Sequence, residues 1–318
     1  MTDKQINRWL RRQFSAVGWI LILYYGLMTL LTSVTAAADA AGQSLLATAS
    51  GDFSGNIDWG RINSNAWGYI ATILVGFAIL DAWKGKNFWR QEVFRKEAAM
   101  KGRTFSCFLC FCMGVQMVNS IWITCLEMLL TPFGKSVMPI LESVAGDTDS
   151  FSMFLYASLL APVWEELLFR GYVLRALRPY GKRFSILGSA LLFGLFHGNL
   201  LQTPYAIVIG LVLGYVTVEY SIGWAVLLHM FNNLVLADLL TRLTAGWSES
   251  AYGILNLILF GGGALISVVI LSRNRSGIRA YHAGEWMDRR CVKCFFTGFG
   301  ILTFLILMSV NMALLLVA

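Results

Sequence analysis

Runs of about twenty apolar residues recur along the whole chain, and this feature limits the possible folds most strongly. A helix needs about 20 mostly apolar residues to cross the hydrocarbon core of a bilayer. Of the 318 residues, 57% are hydrophobic and only 14% are charged, which excludes an ordinary soluble domain. We predict an all-α, polytopic bundle of eight or nine transmembrane helices. The candidate spans are residues 16–35, 67–83, 104–130, 151–173, 184–200, 204–221, 222–242, 251–272 and 295–318.

Basic residues are concentrated in alternate connecting segments. Segments 1–15, 84–103, 173–183 and 273–293 hold 21 of the 25 Lys and Arg residues. Because cytoplasmic loops carry an excess of Lys and Arg, we predict an integral, multi-pass membrane protein with a cytoplasmic N-terminus. The formal net charge of +7 then reflects this asymmetry. Its expected partner is anionic lipid of the bilayer, and nothing in the sequence indicates a nucleic-acid partner.

The chain is expected to form a single membrane domain over residues 1–318, because it contains no polar linker and no fixed-period repeat. The N-terminus has two interpretations. Its basic segment, its apolar run and the TAAADA sequence at 35–40 also resemble a signal peptide with a cleavage site. The run from Ala16 is long for a signal peptide, so we favour a first transmembrane helix.

Three charged residues lie inside the fourth candidate span, at Glu165, Glu166 and Arg170. A charge near the bilayer centre costs about 2.5–3.5 kcal/mol on insertion scales, so such residues usually face protein or water and often mark function. Glu166 and Arg170 are four residues apart and share a helix face, which predicts an internal ion pair. That pair does not explain Glu165, which points about 100° away.

Two of the three histidines also lie in candidate spans, His197 in the fifth and His229 in the seventh. Either could be an ordinary buried histidine, but Asn233 lies one turn after His229 on the same face. Counted from the inner ends of the spans, Glu165, His197, His229 and Asn233 lie at depths of ~10 to ~20 Å. The four side chains are therefore predicted to meet in one layer of the membrane.

This set of side chains suits the hydrolysis of an amide bond. A glutamate with a neighbouring imidazole can take a proton from water, while a histidine N–H and an asparagine amide can donate to the oxyanion that forms. A zinc ion bound by Glu165, His197 and His229 is the alternative, because two histidines and a glutamate form a known zinc set. The H-E-x-x-H helix signature is absent, so we expect no cofactor.

Two further features have more than one interpretation. Pro162 precedes Glu165 by three residues, where it could kink the helix and admit water or be a tolerated transmembrane proline. Gly194 and Gly198 flank His197 with the G-x-x-x-G spacing that favours close helix packing.

Three motifs in this order resemble the CAAX prenyl protease and bacteriocin-processing family of intramembrane glutamic endopeptidases. They are E-E-x-x-x-R at Glu165, Glu166 and Arg170, F-x-x-x-H at Phe193 and His197, and H-x-x-x-N at His229 and Asn233. The resemblance covers a catalytic core at residues 151–240 and leaves the flanking spans undescribed.

The resemblance implies a membrane-embedded protease that works without metal. The position of Glu165 would activate water together with that of His197, and His229 and Asn233 would form the oxyanion hole. Glu166 would be a supporting carboxylate at the catalytic site, with Arg170 as its structural partner. The substrate would be a peptide or protein tail delivered at the membrane, and the site would open toward the cytoplasm.

Other functions remain open on the sequence alone. A noncatalytic scaffold or bacteriocin-immunity protein would keep the same fold, and a transporter would use buried ionisable groups as a pathway. A transporter is expected to contain an inverted repeat, and none is visible. The sequence identifies neither the substrate nor the oligomeric state.

Overall fold

The computed structural model describes residues 1–50, 56–145, 150–283 and 287–317, and every regular element in these ranges is a helix. In chain order the helices are α1 (Asp3–Ala49), α2 (Trp59–Val93), α3 (Gly102–Phe133), α4 (Met138–Ala145), α5 (Phe151–Tyr180), α6 (Lys182–Phe196), α7 (Thr203–Glu219), α8 (Ile222–Thr244), α9 (Glu249–Arg273), α10 (Arg275–Ala283), α11 (Arg289–Phe296) and α12 (Phe299–Val317).

Local sequence explains where several helices begin. Thr2 caps α1 in a capping box, in which its hydroxyl accepts from the backbone N–H of Gln5 and the Gln5 side chain accepts from the N–H of Thr2. Ser150 and Ser248 cap α5 and α9 in the same way, through side-chain oxygens that accept backbone N–H groups. Such caps satisfy N–H groups that have no partner within the first turn.

Six helices in the described part of the chain are long and apolar enough to cross a membrane: α1, α2, α3, α5, α8 and α9. The number rises to seven if α11 and α12, which meet at a 59° bend, form one broken span. Many large apolar side chains on these helices are exposed, such as Leu265 and Val268 on α9. This surface suits lipid, and the chain is an integral, multi-pass membrane protein.

The predicted count of eight or nine spans is not confirmed, because the fifth and sixth candidates are short helices. At 1.5 Å per residue, the 15 residues of α6 and the 17 of α7 reach only about 22 and 26 Å, less than the ~30 Å hydrocarbon core. The residues after α6 form a turn in which Gly198 has a φ of +64°. A window of about 20 residues averages this turn with the apolar helices on either side and so counts it as part of a span.

Helices α6 and α7 pack as a tight hairpin. A Cβ on Gly194 of α6 would lie 2.3 Å from Ile207 Cγ1 and 2.8 Å from the Ile207 backbone N on α7. Only glycine allows this approach, which agrees with the packing interpretation of its G-x-x-x-G spacing. The hairpin holds His197 at its tip.

The four basic segments lie at one end of the bundle. Phe14 of α1 packs its ring against Tyr180 at 4.8 Å, and Lys182 forms an ion pair with Glu219. Tyr281 donates a hydrogen bond to Glu219 at 3.2 Å, and the backbone N–H of Glu97 donates to the carbonyl of Tyr220 at 2.9 Å. These contacts join segments 1–15, 84–103, 173–183 and 273–293, and we call this the basic end.

Candidate active site

The helices that carry the motifs are locally widened beside the motif residues. Leu155–Leu160 and Leu167–Val173 on either side of the glutamates are π-helical, and so is Phe231–Leu239 after His229. Such π-helical turns, which hold more residues per turn than an α-helix, are rare, and those that occur are often at functional sites. Here it frees backbone carbonyls and changes the direction of the side chains that follow.

Glu166 and Arg170 form the predicted ion pair at the centre of the bundle. Arg170 Nη1 lies 2.8 Å from Glu166 Oε1, and both side chains are fully buried. Arg170 Nη2 donates to the carbonyl of Gly210 on α7 at 3.2 Å, and its guanidinium lies 4.2 Å from the centre of the Phe193 ring. The guanidinium thereby ties α5 to both helices of the hairpin.

His229 lies between the two glutamates. Its Nδ1 is 2.9 Å from Glu166 Oε1, and its Nε2 is 3.7 Å from Glu165 Oε2. Glu166 therefore fixes the orientation of the imidazole and favours the proton on Nδ1, so that Nε2 faces Glu165. Glu165 itself keeps 22% of its side chain exposed, whereas Glu166 is sealed from solvent.

His197 reaches the same region from the tip of the hairpin. Its Nδ1 lies 3.0 Å from the carbonyl of Phe193, which favours the proton on Nδ1 and leaves Nε2 available. The Phe193 ring meets His197 edge-on at 5.0 Å and His229 edge-on at 5.8 Å. The two imidazoles thus lie against one aromatic ring, although His197 forms no direct ion pair with either glutamate among the described residues.

Asn233 fills a gap in the backbone hydrogen bonding of α5. The N–H of Ala161 bonds to the carbonyl of Tyr156, five residues back. In this register the carbonyl of Ala157 would accept from Pro162, which has no N–H. Asn233 Nδ2 donates to that carbonyl at 3.1 Å instead. One of its two N–H groups is used in this way, and the other is available to a ligand.

A second polar network supports Asn233, and the motifs gave no indication of it. Asn232 Nδ2 donates to Asn233 Oδ1 at 3.1 Å. Asn232 Oδ1 accepts from Tyr205 at 2.5 Å and from Gln116 at 3.3 Å, while Gln116 also lies 2.7 Å from the Tyr205 hydroxyl. Because Asn232 Nδ2 donates to Asn233 Oδ1, the network directs the Nδ2 end of the Asn233 amide away from Asn232. The adjacent polar pair Asn232–Asn233 inside an apolar span was the available sequence signal.

Aromatic side chains enclose Glu165 on the other side. Tyr24 of α1 and Tyr156 of α5 both interact electrostatically with Glu165. The Tyr24 ring packs against Trp164 at 5.3 Å, and Tyr156 stacks on Tyr69 at 4.8 Å. Phenol hydroxyls can hydrogen-bond a carboxylate or a water beside it, so these two tyrosines supply polar groups in the neighbourhood of Glu165.

The site does not fit the zinc alternative. Within the described ranges, no group of three His, Cys, Asp or Glu side chains is placed to hold a metal ion. His229 Nδ1 is already engaged by Glu166, and His197 stands apart from Glu165.

The fold and site define a multi-pass membrane protein with a buried cluster of carboxylates, imidazoles and carboxamides drawn from three separated helices. Residues 147–235, which include all three motifs, match a family model described as type II CAAX prenyl endopeptidase Rce1-like. This match confirms the resemblance to the CAAX prenyl protease family over that segment. No curated protein and no solved structure matches the chain.

Proposed function

We propose that the protein is an intramembrane endopeptidase that cleaves a peptide delivered at the membrane. The observation that carries this proposal is the position of His229, held by Glu166 on one side and facing the partly exposed Glu165 on the other. The family match at residues 147–235 supports the protease class. A scaffold would have no need for a fully buried carboxylate, Glu166, beside a partly exposed one, Glu165.

The two glutamates have different tasks in this proposal. Glu165 is the general base that takes a proton from water, because it is the carboxylate with access to space beside the imidazoles. Glu166 is neutralised by Arg170 and holds His229 in place. A positioned carboxylate base typically contributes about 10²–10⁴-fold to the rate.

The remaining side chains would stabilise the reaction. His229, once Nε2 carries a proton as well as Nδ1, and the free N–H of Asn233 donate to the oxyanion that forms when water attacks the peptide carbonyl. Each such donor is worth about 10²–10³-fold in a water-poor site. His197, with Nε2 free, assists Glu165 with the attacking water. The proton held by Glu165 then passes to the leaving amine.

Substrate would enter from the basic end, which we assign to the cytoplasm. His229 lies seven residues beyond Ile222, where α8 begins at that end, and seven residues of helix span only about 10 Å. The expected substrate is therefore a peptide segment or protein tail that dips a short way below the membrane surface.

Comparison of wild type with Glu165→Gln tests the proposal. The purified protein in lipid nanodiscs is incubated first with a farnesylated peptide ending in a C-a-a-X sequence, and then with a mixed pool of membrane-associated peptides. Mass spectrometry records new termini. We expect cleavage by wild type and a loss of at least about 100-fold in Glu165→Gln, the lower bound for a general base.

Glu127→Gln is the matched control, because Glu127 also lies in a transmembrane helix but its carboxylate accepts from Ser136 and Val137, which lie outside the candidate site. Cleavage that is equal in wild type and Glu165→Gln would refute the mechanism. A biological phenotype that survives Glu165→Gln would favour a noncatalytic scaffold. Cleavage of the mixed pool but not of the farnesylated peptide would keep the protease and exclude the prenylated substrate.

A further inference from the structure

We propose that a groove beside the N-terminal turns of α1 binds the headgroup of an anionic phospholipid. The groove encloses about 710 Å³ between α1 and the bend that joins α11 to α12. Four cationic side chains line it, and aromatic side chains form its membrane-facing part. It lies apart from the candidate active site. The cationic lining consists of Lys4, Arg8, Arg11 and Arg12.

Helix geometry explains why the four cations face one way. Positions 4, 8, 11, 12, 15 and 19 all line the groove, and this spacing places them on one face of α1. The opposite face carries Leu10, Phe14, Val17 and Leu21, which are buried in the core. Because packing fixes this apolar face, the cationic face has a fixed direction.

Among the residues that the structure describes, no acid neutralises the groove. Its lining includes no Asp or Glu, and none of the four cations forms an ion pair with another described residue. A second cavity at the basic end, of about 520 Å³, is different. There Lys182 pairs with Glu219 and Arg95 pairs with Glu97. Arg175 and Arg178 also line that cavity, so it holds four cations and two acids. The first groove, with four cations and no acid in its lining, has the larger uncompensated positive charge.

The aromatic end of the groove indicates that the bound anion is the headgroup of a lipid. Trp19 and Phe299 lie at the far end from the cations, with ring centres 5.7 Å apart, and both are substantially exposed. Aromatic side chains of this kind are enriched where hydrocarbon meets headgroups. The acyl chains of a lipid whose phosphate lies at the arginines would therefore reach this apolar surface. Free inorganic phosphate has no acyl chains and would not contact it.

The bend between α11 and α12 helps to shape the groove. Arg11 Nε donates to Thr297 Oγ1 at 3.1 Å, which holds the guanidinium over the bend. Gly298 allows the bend to approach α1, since a Cβ there would lie 3.2 Å from the carbonyl of Arg11. Arginine suits phosphate because its planar N–H groups can bind two oxygens at once.

The test uses the full chain in nanodiscs of phosphatidylcholine with a minor share of phosphatidylglycerol. Native mass spectrometry counts the lipids that stay bound. Each cation near an anionic lipid contributes about fivefold in affinity, so Arg8→Gln, Arg11→Gln and Arg12→Gln combined should weaken phosphatidylglycerol retention about 100-fold. All three side chains are exposed, so the variant is expected to fold, and gel filtration checks this.

The matched control replaces three arginines elsewhere at the basic end, through Arg90→Gln, Arg95→Gln and Arg178→Gln. This control should retain phosphatidylglycerol as wild type does. Equal retention by the groove variant and wild type would overturn the proposal. Displacement of the lipid by inorganic phosphate at similar concentration would also overturn it, because the aromatic end of the groove would then contribute nothing to the affinity.

Discussion

At the scale of single residues, the buried guanidinium of Arg170 does several things at once. It neutralises Glu166, it binds a backbone carbonyl of α7, and it lies on the Phe193 ring. A lysine could not satisfy all three, because its single ammonium group lacks a planar surface and a fork of donors. Loss of the cation would leave a carboxylate charge buried without compensation.

We therefore expect Arg170→Met to lower the free energy of unfolding by about 3–5 kcal/mol, the usual cost of removing one partner of a buried ion pair. Adding Glu166→Gln removes the stranded charge and should recover part of this loss. Equilibrium unfolding in mixed micelles of a mild detergent and SDS measures both variants.

Arg290→Met is the matched control for this prediction. Arg290 also forms an ion pair with an acid, Asp3, but the two side chains are 40% and 80% exposed. It should cost no more than about 1 kcal/mol. A double variant that is less stable than Arg170→Met alone would contradict the assigned role of the pair.

Tyr205 allows a second test at the residue scale, because it acts on Asn233 only through Asn232. In Tyr205→Phe, Asn232 loses its hydroxyl donor but keeps Gln116. We expect kcat to fall about fivefold, the equivalent of one hydrogen bond of about 1 kcal/mol, while KM stays constant. Steady-state kinetics on a cleaved peptide measures the effect.

Tyr215→Phe on the same helix provides the control, since the Tyr215 ring contacts Phe108 and Tyr281 and not Asn232. It should leave kcat unchanged. Equal kcat values in wild type and Tyr205→Phe would show that the network does not position Asn233.

At the scale of secondary-structure elements, the break in α5 and the motif on α8 depend on each other. Pro162 leaves the carbonyl of Ala157 without a backbone donor, and Asn233 supplies one from the neighbouring helix. The sequence offered only a kink or a tolerated proline at this position. Neither interpretation included a side chain on another span, 76 residues after Ala157 in sequence, because hydropathy carries no information on which helices are neighbours.

A double-mutant cycle tests this dependence. Asn233→Ala should lower the free energy of unfolding by about 1–3 kcal/mol, because it leaves a carbonyl unsatisfied. In a Pro162→Ala background the restored N–H can bond to that carbonyl, so the same change should cost less. The mixed-micelle unfolding assay measures the four proteins. An identical cost in both backgrounds would rule out the coupling.

At the scale of the whole molecule, the four basic segments share one end of the bundle, and lipid-facing apolar surface surrounds the rest. The sequence predicted this grouping correctly from Lys and Arg counts alone, since charge asymmetry across a membrane is a strong signal. The assignment of that end to the cytoplasm is a prediction.

Cysteine labelling checks the orientation. In a background that lacks the six native cysteines, Lys96→Cys at the basic end and Glu249→Cys at the opposite end are treated with a membrane-impermeant maleimide. We expect intact cells to label only Glu249→Cys, and permeabilised cells to label both. The reverse pattern would place the basic end outside.

The sequence-based prediction and the structure differ most at α6 and α7, which are apolar but too short to span the hydrocarbon core. The four-residue spacing predicted the ion pair of Glu166 and Arg170, because ionisable groups inside spans must find partners in protein. The joint role of Glu165, His197, His229 and Asn233 in one site stays a prediction. Composition could not show that α6 stops at Phe196, since a sliding window averages Leu200 and Leu201 of the turn that follows with the apolar helix before it. Asn232, Tyr205 and Gln116 were missed as a network because each is common alone, and only tertiary packing joins them.

The bond from Asn311 Nδ2 of α12 to the carbonyl of Gly198, at 2.9 Å, steadies the turn next to His197 from outside the family-matched segment. Gln116 of α3 and Tyr24 of α1 also reach the site from outside residues 147–235. The homologous segment is therefore not a self-sufficient module. We expect that this segment, excised from its flanking helices, would lose the contacts that hold its imidazole and carboxamide in position.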